Sequence, residues 1–122
     1  MRVLGLGFRA ASDIASLQNA LQQALDACGN PRLDAIVTEA AKAREPLFRD
    51  FAQLLRLPGL GIAQSELALM ITPTQSDRIR DRFGTGSLAE AAALAAAGPQ
   101  ARLLAVRVTS EDGKATAAIA ES

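Results

Sequence analysis

Residues 2–7, RVLGLG, form a nearly continuous apolar run that ends in glycines, the pattern of a short buried strand. Beyond it the spacing changes. From Ser12, an expected N-cap, the apolar positions Ile14, Leu17, Leu21, Ala24, Leu25 and Cys28 recur at helical intervals until Gly29-Asn30-Pro31 stops them. LDAIVT at 33–38 predicts a second short strand. Pro46 opens another helix with the stripe Leu47, Phe48, Phe51, Leu54 and Leu55, ended by Pro58-Gly59. The segment 60–83 is less regular. It predicts a brief strand at 60–63, a turn of helix after Ser65 and a short helix at 76–83, with 68–72 as the alternative strand position.

Ser87 followed by Glu90 reads as a capping box at the head of an alanine-rich helix that Gly98-Pro99 terminates. RLLAVRV at 102–108 and KATAAIA at 114–120 flank the turn residues Glu111-Asp112-Gly113, which predicts a C-terminal hairpin. Strand–helix alternation followed by a hairpin gives an α/β sandwich with a mixed sheet. At 122 residues, with no repeat, linker or low-complexity tail, one domain over 1–122 is expected.

Composition narrows the chemistry. The chain has no histidine, so it lacks the commonest general base and the commonest metal ligand. Its one cysteine, Cys28, excludes an internal disulfide and any multi-cysteine metal site, and its place on a helix's apolar side predicts a buried thiol. Thirteen basic and thirteen acidic residues leave no net charge, and tryptophan and tyrosine are absent, which argues against a nucleic-acid partner. No apolar stretch reaches the ~18 residues that span a membrane, and the N-terminus does not read as a signal peptide, so no membrane partner and a cytoplasmic location are expected.

Four stretches invite a functional reading. Gly5-x-Gly7-x-x-Ala10 matches a relaxed dinucleotide fingerprint, and a strand running through glycines to a helix N-terminus at Ser12 would present amides to an anion. A dinucleotide site also needs an acid about twenty residues on, at the end of the second strand. Asp26 lies inside the first helix and Glu39 lies much further along. A plain tight turn or a loop for another anion remains, with Arg9 at its mouth. Lys42 and Glu45 follow the second strand, where ligands bind in open α/β sheets, or else belong to a solvated loop. Glu90 is explained by the capping box alone, or is a ligand. SDRIRDR at 76–82 is either an exposed helix with Asp77–Arg80 and Arg78–Asp81 pairs or an arginine clamp. Asp112-Gly113 reads only as a turn.

Taken together and in order, GLGFRAAS, VTEAAKARE (the pattern ATxxxKxxE), TPTQSDRI, GSLAEAAAL, LLAVRV and KATAAIA resemble the CobE and CbiG C-terminal family of cobalamin (vitamin B12) biosynthesis, from residue 3 to 120. The resemblance implies a three-layer αβα fold and a role in corrin-ring assembly. In CbiG the ring-opening step hydrolyses a lactone on a cobalt-bound, ring-contracted precorrin with loss of acetaldehyde. That enzyme has a further N-terminal portion, so this chain is expected to be the stand-alone form of the oxygen-dependent pathway. The match carries over Gly5, Gly7, Arg9, Lys42, Glu45, Ser76, Glu90 and Thr116 as ligand-binding candidates, with Ser12 beside them. Two departures are Phe8, where the family often has a small or thiol residue, and Arg107, where it often has lysine.

The partner implied is a corrinoid or precorrin intermediate, with a precorrin methyltransferase as a protein partner. No metal or cofactor is expected, and without imidazole the ring would be recognised through its rim and face. Two other readings stay open: a hydrolase or lyase of the same pathway using Lys42 or Glu45, and a nucleotide-binding module using the opening loop.

Overall fold

A computed structural model describes all residues, 1–122. Five strands form one open sheet: β1 (Arg2–Phe8), β2 (Ala35–Glu39), β3 (Gly59–Ile62), β4 (Arg102–Thr109) and β5 (Ala115–Glu121), in the order β3-β2-β1-β5-β4. The β1–β2 and β2–β3 pairs are parallel, while β5 runs antiparallel to both β1 and β4. The expected mixed sheet and C-terminal hairpin are therefore present. Helices α1 (Ile14–Ala27) and α2 (Pro46–Leu55) cover one face, and α3 (Gln64–Leu67), α4 (Asp77–Phe83) and α5 (Leu88–Ala97) lie on the other.

Burial on both faces explains why β1 reads as an unbroken apolar run. Leu4, Leu6 and Phe8 point to α1 and α2 with Leu17, Phe48, Phe51 and Ile119. Val3 points the other way, toward Ala92, Ala93 and Ala97 of α5. Gly5 shares that second face. A Cβ on Gly5 would lie 2.0 Å from the Ala89 carbonyl oxygen and 2.9 Å from the Ala93 nitrogen. Gly5 thus lets the α5 backbone rest on the β1 backbone, and the alanines of α5 keep the helix equally slim. With Leu67 and Phe83 closing over its outer side, α5 is apolar nearly all round, as a helix buried on all sides must be.

Several local expectations are corrected. The glycines of the dinucleotide-like spacing are strand, not loop: Gly5 pairs with Val37 and Ala118, and Gly7 with Thr116. The N-cap of α1 is Asp13 rather than Ser12; its carboxylate accepts from the Ser16 N–H at 3.0 Å and so occupies the helix's positive end itself. Ser12 instead donates its hydroxyl to the Lys114 carbonyl. Helix α2 stops ahead of Pro58 because Arg56 adopts the left-handed conformation, φ 56°. Of the two strand positions weighed near residue 65, β3 occupies the first, while 68–72 forms no strand and leaves Leu69 and Ile71 exposed. Cys28 is half-buried; its thiol donates to the Ala24 carbonyl, and burial pushes its pKa up.

Asp112 does more than turn the chain. Its carboxylate accepts from the hydroxyls of Ser110 and Ser16 and from the Lys114 N–H, which ties the hairpin tip to α1. Those bonds, Ser110 first, hold its pKa at about 2 against an ordinary 3.8. A depressed folded-state pKa contributes stability that is present above the unfolded value and lost as pH falls through the folded one. Asp112→Asn is expected to flatten the decline in Tm between about pH 4 and pH 2, measured by thermal melts across that window. Gly5→Ala drives a methyl group into backbone that has no side chain to move aside; a loss of about 1–3 kcal/mol or more is expected in denaturant unfolding.

Candidate functional site: a cationic cleft at the carboxyl edge of the sheet

The parallel strands β1 and β2 end on the same edge, where β5 begins, and a narrow cleft of about 50 Å³ opens there. Gly7, Phe8 and Arg9 form its floor at the end of β1, with Gly113, Lys114 and Thr116 beside them from the hairpin. Lys42 enters from the segment after β2, Arg107 from β4 and Leu88 from the head of α5. The opposite wall is α4, through Arg78, Ile79, Arg82 and Phe83. Six basic side chains (Arg9, Lys42, Arg78, Arg82, Arg107 and Lys114) line this cleft, and no acidic residue does. In a chain of zero net charge that is a strong local imbalance.

Lys42 is the buried member, 8% exposed. Glu39, the last residue of β2, accepts from the N–H groups of Ala41 at 2.7 Å and Lys42 at 3.3 Å, folding the chain back into a 3-10 turn over Lys42–Arg44. That turn aims the Lys42 side chain across the end of β1, where Nζ donates to the Phe8 carbonyl at 2.7 Å. The ammonium also lies 4.6 Å from the centre of the Phe8 ring and 5.9 Å from that of Phe83. Burial, reinforced by the positive Arg82 and Arg78, pulls its pKa below the ordinary 10.5, against the opposing pull of Glu45 and Glu39. Glu45 stands 4.0 Å from Nζ, half exposed, at the mouth of an adjoining recess shared with Arg82 and Phe83.

Helix α4 does not neutralise itself. The pairs Asp77–Arg80 and Arg78–Asp81 do not form; the ion pairs of the chain are Arg2–Glu121, Lys42–Glu45 and Arg102–Glu121. Exposed pairs on so short a helix gain little, and Arg78 and Arg82, four apart, turn their face to the cleft instead. Arg82 also stacks its guanidinium 5.2 Å from the Phe83 ring centre. The expected self-paired helix is therefore not formed, and two of the segment's three arginines line the cleft.

Of the sequence candidates, Gly7, Arg9, Lys42 and Thr116 meet in the cleft, and Glu45 flanks it. Gly7 has a steric reason to be there, since a Cβ would come within 2.7 Å of the Thr116 hydroxyl. Gly5 faces α5, and Ser76 caps α4 by accepting from the Ile79 N–H, so neither lines the cleft. Glu90 is fully buried. Its N–H donates to Ser87, but its side chain does not complete a capping box. One carboxylate oxygen accepts from the Thr74 N–H at 2.9 Å; the other accepts from the Thr74 hydroxyl and the Arg107 N–H, each at 2.8 Å. Arg78, Arg82, Arg107 and Lys114 are not among the ligand candidates, although 76–82 also reads as an arginine clamp and Arg107 stands where the family often has lysine; Lys114 has no signal. No group of three or more Cys, Asp or Glu side chains is arranged to hold a metal ion, and no helix is long and apolar enough to cross a membrane.

Comparison with known proteins agrees in fold and family. The family model described as cobalamin synthesis G C-terminus matches residues 2–120. The structure of CobE, a protein from the cobalamin (vitamin B12) biosynthetic pathway, superposes with a TM-score of 0.85 at 29% identity, covering 100% of this chain and 90% of that one. Cobalamin biosynthesis protein chiG from Agrobacterium tumefaciens gives 0.75 at 31% identity, covering 100% and 98%. A cobalamin biosynthesis protein G homologue from Sulfolobus solfataricus shares the fold at 0.70 and 15% identity, over 98% of this chain and 36% of that one. No curated protein sequence matches.

The lowered Lys42 pKa has a measurable consequence. The ammonium is charged below its folded-state pKa and loses its charge above it, so the cleft sheds one cation before pH reaches 10.5. The two lysines can be told apart by NMR after ¹³C reductive methylation, and the Lys42 resonance is expected to titrate with a midpoint below 10.5. A midpoint at or above that value would contradict the burial described here.

Proposed function

This chain belongs to the cobalamin synthesis G C-terminal family, and from that premise we propose that its cationic cleft binds a corrinoid or precorrin intermediate by the carboxylates on the ring's edge. The observation that carries the reading is the convergence of six basic side chains, without one carboxylate, on a cleft that also presents Phe8, Ile79, Phe83 and Leu88. A corrin intermediate is an amphipathic disc fringed with carboxylates. Arginine offers such groups paired donors in a planar fork, and the apolar side chains offer the ring a surface to lie against. Handing the intermediate on to a precorrin methyltransferase belongs to the same reading.

Recognition by the nucleotide fingerprint has less to support it, because Gly5 is packed under α5 and Asp13 already caps α1. A second reading, a pathway hydrolase or lyase, is favoured by Lys42, a cleft amine whose proton is loosened by burial. It predicts that Lys42→Met abolishes turnover of a precorrin while ring binding survives.

Titration with hydrogenobyrinic acid, followed by visible absorbance and calorimetry, tests the main reading. Saturable binding that weakens as salt rises is expected. Arg82→Gln and Arg107→Gln should each reduce affinity about tenfold, the worth of one charge-assisted contact, with Tm little changed. Folded protein that gives neither a spectral nor a calorimetric response would refute it.

A further inference from the structure

We propose that Glu90 is the positioning residue of the cleft: its two carboxylate oxygens join the cleft's opposite walls and hold Arg107 and the α4 arginines in register for a polyanionic ligand. The proposal rests on the reading of the cleft as an anion site. Glu90 occupies a fully buried position in a helix otherwise built of alanine and leucine, and no cation pairs with it. A buried carboxylate is costly unless its acceptors are fully used. Helix capping does not account for it, since the Ser87 hydroxyl performs that task and Glu90 supplies only its own N–H.

The side chain's bonds go to two separate segments. Thr74 stands two residues before Ser76, the N-cap of α4, and therefore sets where Arg78 and Arg82 begin. Arg107 lies where the register of β4 against β5 slips between Ala105 and Val108, and its N–H goes to Glu90. One wall is thus anchored through Thr74 and the other through Arg107, on the two oxygens of one group.

This arrangement requires a carboxylate. The Thr74 N–H and the Arg107 N–H point at different oxygens, so both oxygens must accept. Glutamine has the same shape but one acceptor. Either orientation of its amide sets an NH₂ against one of the two backbone N–H groups and releases one wall.

Glu90→Gln and the milder Thr74→Val, which removes only the hydroxyl bond, are compared with the wild type. Without ligand, hydrogen exchange in E90Q is expected to accelerate at the Arg107 amide and across residues 74–83, while β1 and β2 stay protected. Hydrogenobyrinic acid should bind E90Q about tenfold more weakly or worse, and T74V by a smaller factor. Arg107→Gln should cost far less affinity in the E90Q background than in the wild type, because a misplaced arginine has little left to lose. A purely structural Glu90 would give additive losses and a uniform rise in exchange, and either result overturns the proposal. So does unchanged affinity in folded E90Q. If E90Q does not fold, T74V with R107Q supplies the same cycle. Failure of the wild type itself to bind would instead sink the anion-site reading on which the proposal stands.

Discussion

The cationic edge of this molecule depends on how closely α5 lies on β1. At Gly5 the two backbones approach within a distance that no side chain permits, and the alanines of α5 keep its own surface equally low. Sinking a helix that far buries whatever polar group it carries, and it carries Glu90. The carboxylate can no longer be satisfied by water, so it must find donors in protein. It finds them in Thr74 and Arg107, and those two attachments lie behind the two walls of the cleft. A steric fact at the centre of the sheet thereby sets the shape of a charged edge some distance away.

At that edge a cation is buried, which is costly in itself. Basic side chains converge there, Lys42 is largely withdrawn from water, and its pKa falls as a result. The Phe8 carbonyl and the two phenyl rings compensate part of the cost. Neutrality of the whole chain is reached by acids placed elsewhere, not in the cleft. Membership in a cobalamin-biosynthesis family is the ground for our proposal that the ligand is an amphipathic ring edged with carboxylates.

Much of the fold was legible because it rests on local rules. The strand patterns at 2–7, 102–108 and 114–120, the helix-stopping Gly29-Asn30-Pro31 and Gly98-Pro99, and the hairpin turn all lie where hydrophobic period and turn chemistry predict. The site was legible only in part. Lys42 and Arg9 follow from their places at strand ends and Thr116 from the family resemblance, but Gly5 and Glu90 carry meanings that sequence spacing misassigns. Gly5 resembles a phosphate loop because close helix packing and close ligand approach both demand the absence of a side chain. Glu90 resembles a capping-box acid because the spacing from Ser87 is the same whether the carboxylate turns back to the helix start or outward to Thr74.

The sequence by itself determined the kinds and order of the elements, the absence of imidazole and disulfide chemistry, and the family. Each of these depends on composition or on near neighbours along the chain. Only the tertiary structure decided which cations share a cleft and which carboxylate is buried. Arg9, Lys42, Arg78, Arg107 and Lys114 come from five separate segments, and no periodicity relates them. They meet because the sheet brings the ends of β1 and β4 and the start of β5 to one edge, and because α5, lying against Gly5, gives α4 a place to stand across from them.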